Sequence, residues 1–249
     1  MQQHAPADSW LYLDADMLCF GSLAPVFETL ETGCILLTPH TADSRHALND
    51  DLQYLTAGAF NGGVSGLKRS PESEAFTHWY LKVLRFLCLN DLALPPQERL
   101  SHSTVLFADQ RWLDLVPAYF RKVVVAPKRG YNLGHWNVGN DRLSLRGEGL
   151  HIGEDRVILL HLSGWQADAP GRLSRHSPLD WSNDPVWTNI HAEYGEALMA
   201  LQKSFQRPYP FNSHTDGSAI TGAERRRYLQ HLLRGAAPAA NPFSRPPSS

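Results

Sequence analysis

Apolar and polar positions fall along this chain in short blocks, most with a readable period. Trp10-Leu11-Tyr12-Leu13 is an apolar run of strand length that ends on Asp14 and Asp16. Cys34-Ile35-Leu36-Leu37, Val123-Val124-Val125 and Val157-Ile158-Leu159-Leu160 are further buried-strand runs, the last ending on His161. Phe76, Trp79, Tyr80, Val83, Leu84 and Leu87 recur at helical spacing. Ser70-Pro71-Glu72 precedes them with a capping serine, a first-turn proline and an early acid, so a core helix is predicted from there to about Asn90. Other helices are predicted over Val26–Glu31, over Thr104–Leu115, and from Asp184-Pro185 to about Phe205. Residues 41–57 read as a helix-containing loop, Pro95-Pro96 as a loop, and residues 166–183 lack periodicity. Ala59–Leu67 alternates small and apolar residues around Asn61-Gly62-Gly63, where glycine permits a turn or a close approach of backbone to a ligand. Gly130–Gly134 is a loop that brings an aromatic and an amide together.

Composition narrows the class. At 249 residues, 43% hydrophobic and 19% charged, the chain suits an ordinary globular protein with one substantial core. A net charge of −2 provides no overall field toward nucleic acid or anionic lipid, and Arg225-Arg226-Arg227 reads as a solvated helix face. Cys19, Cys34 and Cys88 sit in apolar settings and read as buried thiols in a reducing compartment, the cytoplasm. The first residues have neither the basic region nor the apolar core of a signal peptide, and no apolar stretch approaches a membrane span. From Gly235 onward the composition predicts a disordered tail. The expected organisation is a main domain over residues 1–210, a helical extension over 211–234 and the tail over 235–249.

Candidate chemistry gathers at strand ends. In an extended segment the side chains of Asp14 and Asp16 share a side and can converge on one Mg²⁺ or Mn²⁺ that also holds phosphate. Aspartates also end strands simply because they favour turns. In an open α/β sheet, His161 at the end of another strand can reach the same crevice, and a mixed oxygen and nitrogen set leans toward Mn²⁺. A histidine there also serves as a capping or packing residue.

YLDAD, FNGGVSGLKRS, ADQRWLDLVPAYF, GYNLGHWN and LLHLSGW occur in an order that resembles the motifs of A-type-fold glycosyltransferases. The likeness is greatest to the glycogenin and lipopolysaccharide-galactosyltransferase family and its bacterial relatives, and spans about Leu11 to Trp165. The resemblance implies an α/β fold with a mixed, mostly parallel sheet flanked by helices. It also implies metal-dependent, retaining transfer of a sugar from a nucleotide-diphosphate donor to a glycan, lipid-linked or protein acceptor, as in bacterial polysaccharide synthesis. By that resemblance Asp14, Asp16 and His161 hold Mn²⁺ (or Mg²⁺) and the diphosphate, with Gly63 and Gly164 also on the donor side. Asn61 and Gly62 lie along the donor sugar, Asp109 binds sugar hydroxyls, and Gln110 sits beneath the anomeric carbon. A cytoplasmic protein, with a peripheral place at the inner membrane face open to it, fits that role.

The sequence departs from the family twice. Ala167 stands where relatives carry a phosphate-binding lysine, leaving Arg172, Arg175 or Lys128 as replacements. The acidic motif also begins at residue 14, so the resemblance implies an N-terminally truncated chain. Two other readings stay open: a non-catalytic binding module or remnant, and a haloacid-dehalogenase-like phosphatase with Asp14 as nucleophile. For Asp109-Gln110 the bland alternative is a solvated helix face.

Overall fold

The computed structural model describes residues 7–41, 48–90, 99, 105–202 and 210–244. Pro95-Pro96, Thr104 and residues 203–205 lie outside them. The first half runs β1 (Ser9–Leu13), β2 (Met17–Cys19), α1 (Ala24–Leu30), β3 (Ile35–Pro39), α2 (Leu48–Ala57), β4 (Phe60–Lys68) and α3 (Pro71–Leu87). It continues through β5 (Leu89–Asn90), β6 (Phe107–Ala108), α4 (Val116–Tyr119) and β7 (Val123–Val125). Then follow β8 (Leu143–Arg146), β9 (Gly149–Ile152), β10 (Asp155–Arg156), β11 (Leu159–His161), α5 (Pro185–Gln202) and α6 (Gly222–Leu233).

The fold is mixed α/β, with a mixed sheet flanked by helices. The main sheet has the order β1-β4-β3-β7; β4 is antiparallel to both neighbours, and β3–β7 is the parallel pair. Every side chain from Ile35 to Thr38 is buried, which explains the uninterrupted apolar run there. A second ladder pairs β11 with β2 antiparallel, setting His161 opposite Met17. Beneath it Leu133, Leu160, Leu162, Trp181 and Trp187 form one apolar cluster, into which α5 inserts Trp187 and Ile190. Full burial of a side chain of that size is worth roughly 1.5–3 kcal/mol or more relative to leaving it exposed.

The predicted helix caps form. Ser70 accepts from Ser73 N at 3.1 Å while the Ser73 hydroxyl accepts from Ser70 N, closing a capping box with Pro71 in the first turn. Asp184 Oδ1 accepts from Val186 N and Trp187 N at 3.0 and 2.9 Å, so α5 begins where expected.

Other expectations need correction. Within Thr104–Leu115 no α-helix forms among the described residues: β6 pairs with β5, and a 3₁₀ turn spans Gln110–Leu115. Ala108 at φ 49° turns the backbone out of helical geometry, and Gln110 binds neighbouring segments, so tertiary contacts override helix propensity. Asn61-Gly62-Gly63 lies within strand β4 rather than in a turn. The glycines instead allow a break in pairing, since Leu37 faces Ser65 but Thr38 faces Asn61. The β8–β9–β10 meander, turning at Gly147 and Gly153 with φ 58° and 56°, was not expected. Of the three cysteines only Cys34 is buried; Cys19 lies outward on the short β2 and Cys88 just beyond α3.

Candidate metal centre

Asp14 leads into a turn at Ala15-Asp16 that joins β1 to β2, so the two aspartates are not in the extended i, i+2 geometry. Three backbone bonds fix the turn and the strand that faces it. Asp14 N donates to Gly63 O at 2.9 Å, Leu162 N donates to Asp16 O at 2.8 Å, and His161 N donates to Leu133 O at 2.7 Å. The antiparallel β2–β11 ladder, rather than the ends of parallel strands, therefore carries His161 to the aspartates.

One ligand atom from each of Asp14, Asp16 and His161 lies within 4.8 Å of the others. His161 Nε2 is 3.2 Å from Asp16 Oδ1 and 3.7 Å from Asp14 Oδ2. The imidazole is buried, whereas both carboxylates are partly open to solvent. A hydrogen bond with His161 holds the Asp16 carboxyl below its usual range, against the opposing effect of burial. Tyr12 OH donates to Asp14 Oδ1 at 2.8 Å, and chiefly for that reason its phenol is pushed up to about 12. The Trp136 ring stands edge-on to His161, with centroids 5.0 Å apart.

Side-chain amides tie this cluster to the rest of the expected site. Gln110 Nε2 donates to Ala57 O at 2.8 Å, and its Oε1 accepts from Gly62 N at 3.0 Å and Asn61 Nδ2 at 3.1 Å. Asn61 Oδ1 accepts from Gly63 N and Asn132 Nδ2, both at 2.9 Å. Asn132 Oδ1 faces His161 Nδ1 at 3.2 Å. Asn61, Gln110, Asn132 and His161 are all buried, so Gln110 does not lie on a solvated face. His40 joins from the side: Nδ1 meets Gly58 O at 2.7 Å, Nε2 meets Asn61 Nδ2 at 3.4 Å, and burial lowers its pKa from 6.5 to about 4.

Gly63 fits here because nothing larger does, and Gly62 stands close against a neighbouring side chain. A Cβ at Gly63 would stand 2.4 Å from His161 Cε1, and one at Gly62 would stand 3.1 Å from Asp109 Oδ2. The Asp109 carboxylate thus faces the glycine step of β4. Gly164, at φ 73°, turns the chain after His161, and its carbonyl accepts from Arg175 N at 2.9 Å. Of the three basic candidates, Arg175 flanks this turn, Arg172 pairs with Asp180 in an isolated backbone β-bridge, and Lys128 is exposed ahead of the Arg129–Tyr131 turn. Sequence reading gave no role to Thr38, His40, Asn132 or Trp136. Asn132 was visible only as an amide in the Gly130–Gly134 loop.

The donor set fits a divalent cation. Two carboxylate oxygens and one imidazole nitrogen converge, and the second ring nitrogen is already hydrogen-bonded, as in protein metal sites generally.

No family model matches the sequence. The chain is 25% identical over 166 residues to the uncharacterised protein YfnD of Bacillus subtilis (strain 168), covering 66% of this chain and 49% of that protein. It is 26% identical over 199 residues to the uncharacterised protein YfnF of the same organism, covering 78% of this chain and 61% of that protein. The chain therefore spans half to three-fifths of the length of these curated relatives. Among solved structures it is similar to the galactosyltransferase LgtC in complex with donor and acceptor sugar analogues. That match has a TM-score of 0.37 and 16% identity, covering 78% of this chain and 62% of that one. An active-site mutant of LgtC gives a TM-score of 0.30 at 15% identity, covering 92% and 62%.

Proposed function

We propose that this chain carries the metal and donor site of a nucleotide-sugar-dependent glycosyltransferase that works with retention of configuration. The observation that carries the reading is the convergence of Asp14, Asp16 and His161, with the two carboxylates open to solvent. In this reading the three residues hold Mn²⁺, or Mg²⁺ in its place. When bound, the cation supplies electrostatic stabilisation for negative charge on a leaving diphosphate.

The remaining roles belong to the chain itself. Gly62 and Gly63 leave a side-chain-free step of strand on which a sugar ring can lie. The Asp109 carboxylate faces that step and accepts from sugar hydroxyls. Gln110 holds the step in place, its amide oxygen accepting from Gly62 N and Asn61 Nδ2, and in this reading its neutral amide lies beneath the anomeric carbon, where positive charge develops. A neutral amide is a poor covalent nucleophile, which favours front-side transfer. Gly164 shapes the loop after His161, and Arg175, whose backbone N–H binds the Gly164 carbonyl, is the candidate cation for a phosphate.

The phosphatase reading needs Asp14 free for nucleophilic attack, and here Oδ1 is engaged by Tyr12 and Oδ2 faces His161. Calorimetric titration with UDP-glucose, UDP-galactose and GDP-mannose, with Mn²⁺ and with EDTA, tests the proposal. Binding of one donor is expected only with metal, and Asp16→Asn is expected to weaken it at least about tenfold, since loss of a charged ligand removes more than about 1.4 kcal/mol. Equal affinity in EDTA refutes the metal role. Metal-dependent binding with no transfer to any acceptor identifies a binding module, and a phospho-aspartate at Asp14 identifies a phosphatase.

A further inference from the structure

His161 meets a metal through Nε2 only if its ring proton sits on Nδ1, and heavy-atom contacts decide where that proton goes. The starting point is a backbone group whose polarity is fixed. Gly63 N–H can only donate, so the Asn61 atom 2.9 Å away is its oxygen. That oxygen also faces Asn132 at 2.9 Å, so the Asn132 atom there is the NH₂ group. The same NH₂ group meets Thr38 Oγ1 at 2.9 Å, and the Thr38 hydroxyl has its own acceptor in Val64 O at 2.9 Å. The oxygen of Asn132 is consequently left pointing at His161 Nδ1, 3.2 Å away. An amide oxygen only accepts, so Nδ1 carries the hydrogen.

The other side of the chain of amides agrees with this orientation. Asn61 Nδ2 donates to Gln110 Oε1, whose polarity is fixed independently by Gly62 N–H, and Gln110 Nε2 donates to Ala57 O. His40 places its own Nδ1 against Gly58 O, so its Nε2 faces Asn61 Nδ2 as an acceptor. Two backbone N–H groups and two backbone carbonyls thus set every amide in the series, and no flipped arrangement satisfies all four.

We infer that Asn132 is a positioning residue that keeps a hydrogen on His161 Nδ1, so that Nε2, 3.2 Å from Asp16 Oδ1, is the nitrogen left for a cation shared with Asp14 and Asp16. The inference rests on the divalent-cation reading of the site. Asn132 itself touches neither carboxylate in this scheme and acts through His161.

Histidine nitrogen NMR on the metal-free, full-length chain tests it directly, with His161 assigned through His161→Gln. Nδ1 is expected to carry a hydrogen; a ring that carries its hydrogen on Nε2 alone overturns the inference. Titration with Mn²⁺ alone adds a second measurement. Asn132→Leu, of the same branched shape but with neither acceptor nor donor, is expected to lower Mn²⁺ affinity about ten- to a hundredfold and to mix the two ring forms. Folded Asn132→Leu with unchanged affinity and ring form overturns the inference. If a variant does not fold, the spectrum of the parent decides. Absence of Mn²⁺ binding by the parent counts against the proposed function and leaves the spectrum to decide the role of Asn132.

Discussion

His40 is the residue whose ionisation most clearly differs between folded and unfolded chain. Buried between Tyr54 and Trp136, it stays neutral down to about pH 4, whereas an unfolded histidine takes up a proton near 6.5. Between those values the unfolded state binds more protons, so stability falls as pH falls through that window. One such group accounts for about 3 kcal/mol over the full interval. His135, also lowered to about 4 chiefly by burial, acts in the same direction. Urea unfolding at steps from pH 7 to pH 4 is expected to show this decline, and His40→Gln to reduce its slope by roughly one proton. Gln110 makes a second case. Gln110→Ala leaves Gly62 N–H and Ala57 O without their present partners. It is expected to cost about 1–3 kcal/mol by the same measurement. If transfer chemistry occurs here, kcat should fall more than donor affinity does.

At the scale of elements, strand β4 does most to shape the site, because its paired glycines bring backbone against the imidazole. Gly63→Ala places a methyl group 2.4 Å from His161 Cε1 and 2.8 Å from Nδ1, so the ring must move. The expected result is a stability loss of about 1–3 kcal/mol and weaker Mn²⁺ binding by calorimetry. Gly139→Ala is the control: at φ 60° it is strained by roughly 1–2 kcal/mol, yet it meets nothing within 4 Å and leaves metal affinity unchanged. The strands and caps that the sequence declared were those with strong local signals. Ile35–Thr38 is apolar or small because it is buried, and Ser70-Pro71 and Asp184-Pro185 carry their cap chemistry in adjacent letters. The segment around Asp109-Gln110 misled because its apolar spacing resembles a helix, while partners from distant parts of the chain hold it as a 3₁₀ turn. Leu143–Ile152 alternates in strand fashion around Gly147, so that hairpin was readable and went unread.

The Asp14-Asp16-His161 cluster was legible at the whole-molecule scale through its residue types, since two aspartates and a histidine ending apolar runs are an unusual combination. The relay through Asn61 and Asn132 was not, because amides declare their partners only in three dimensions. Asp16 and His161 lie 145 residues apart (161 − 16), and the short β2–β11 ladder is what joins them. Bringing such distant segments together consumes chain entropy that grows slowly with length, about 0.6 kcal/mol per doubling, so contacts of this span form after local ones. A cation held there at a hundred times its dissociation constant adds about 2.7 kcal/mol to stability. Because the cluster assembles late, that gain should appear in the rate of unfolding. Stopped-flow experiments with and without Mn²⁺ are expected to show slower unfolding and nearly unchanged refolding. Faster refolding by the whole equilibrium factor would instead mean that the cluster forms in the folding nucleus. Short as it is, the ladder then works as a latch: metal supply sets how long the native chain lasts, and hardly affects how quickly it is made.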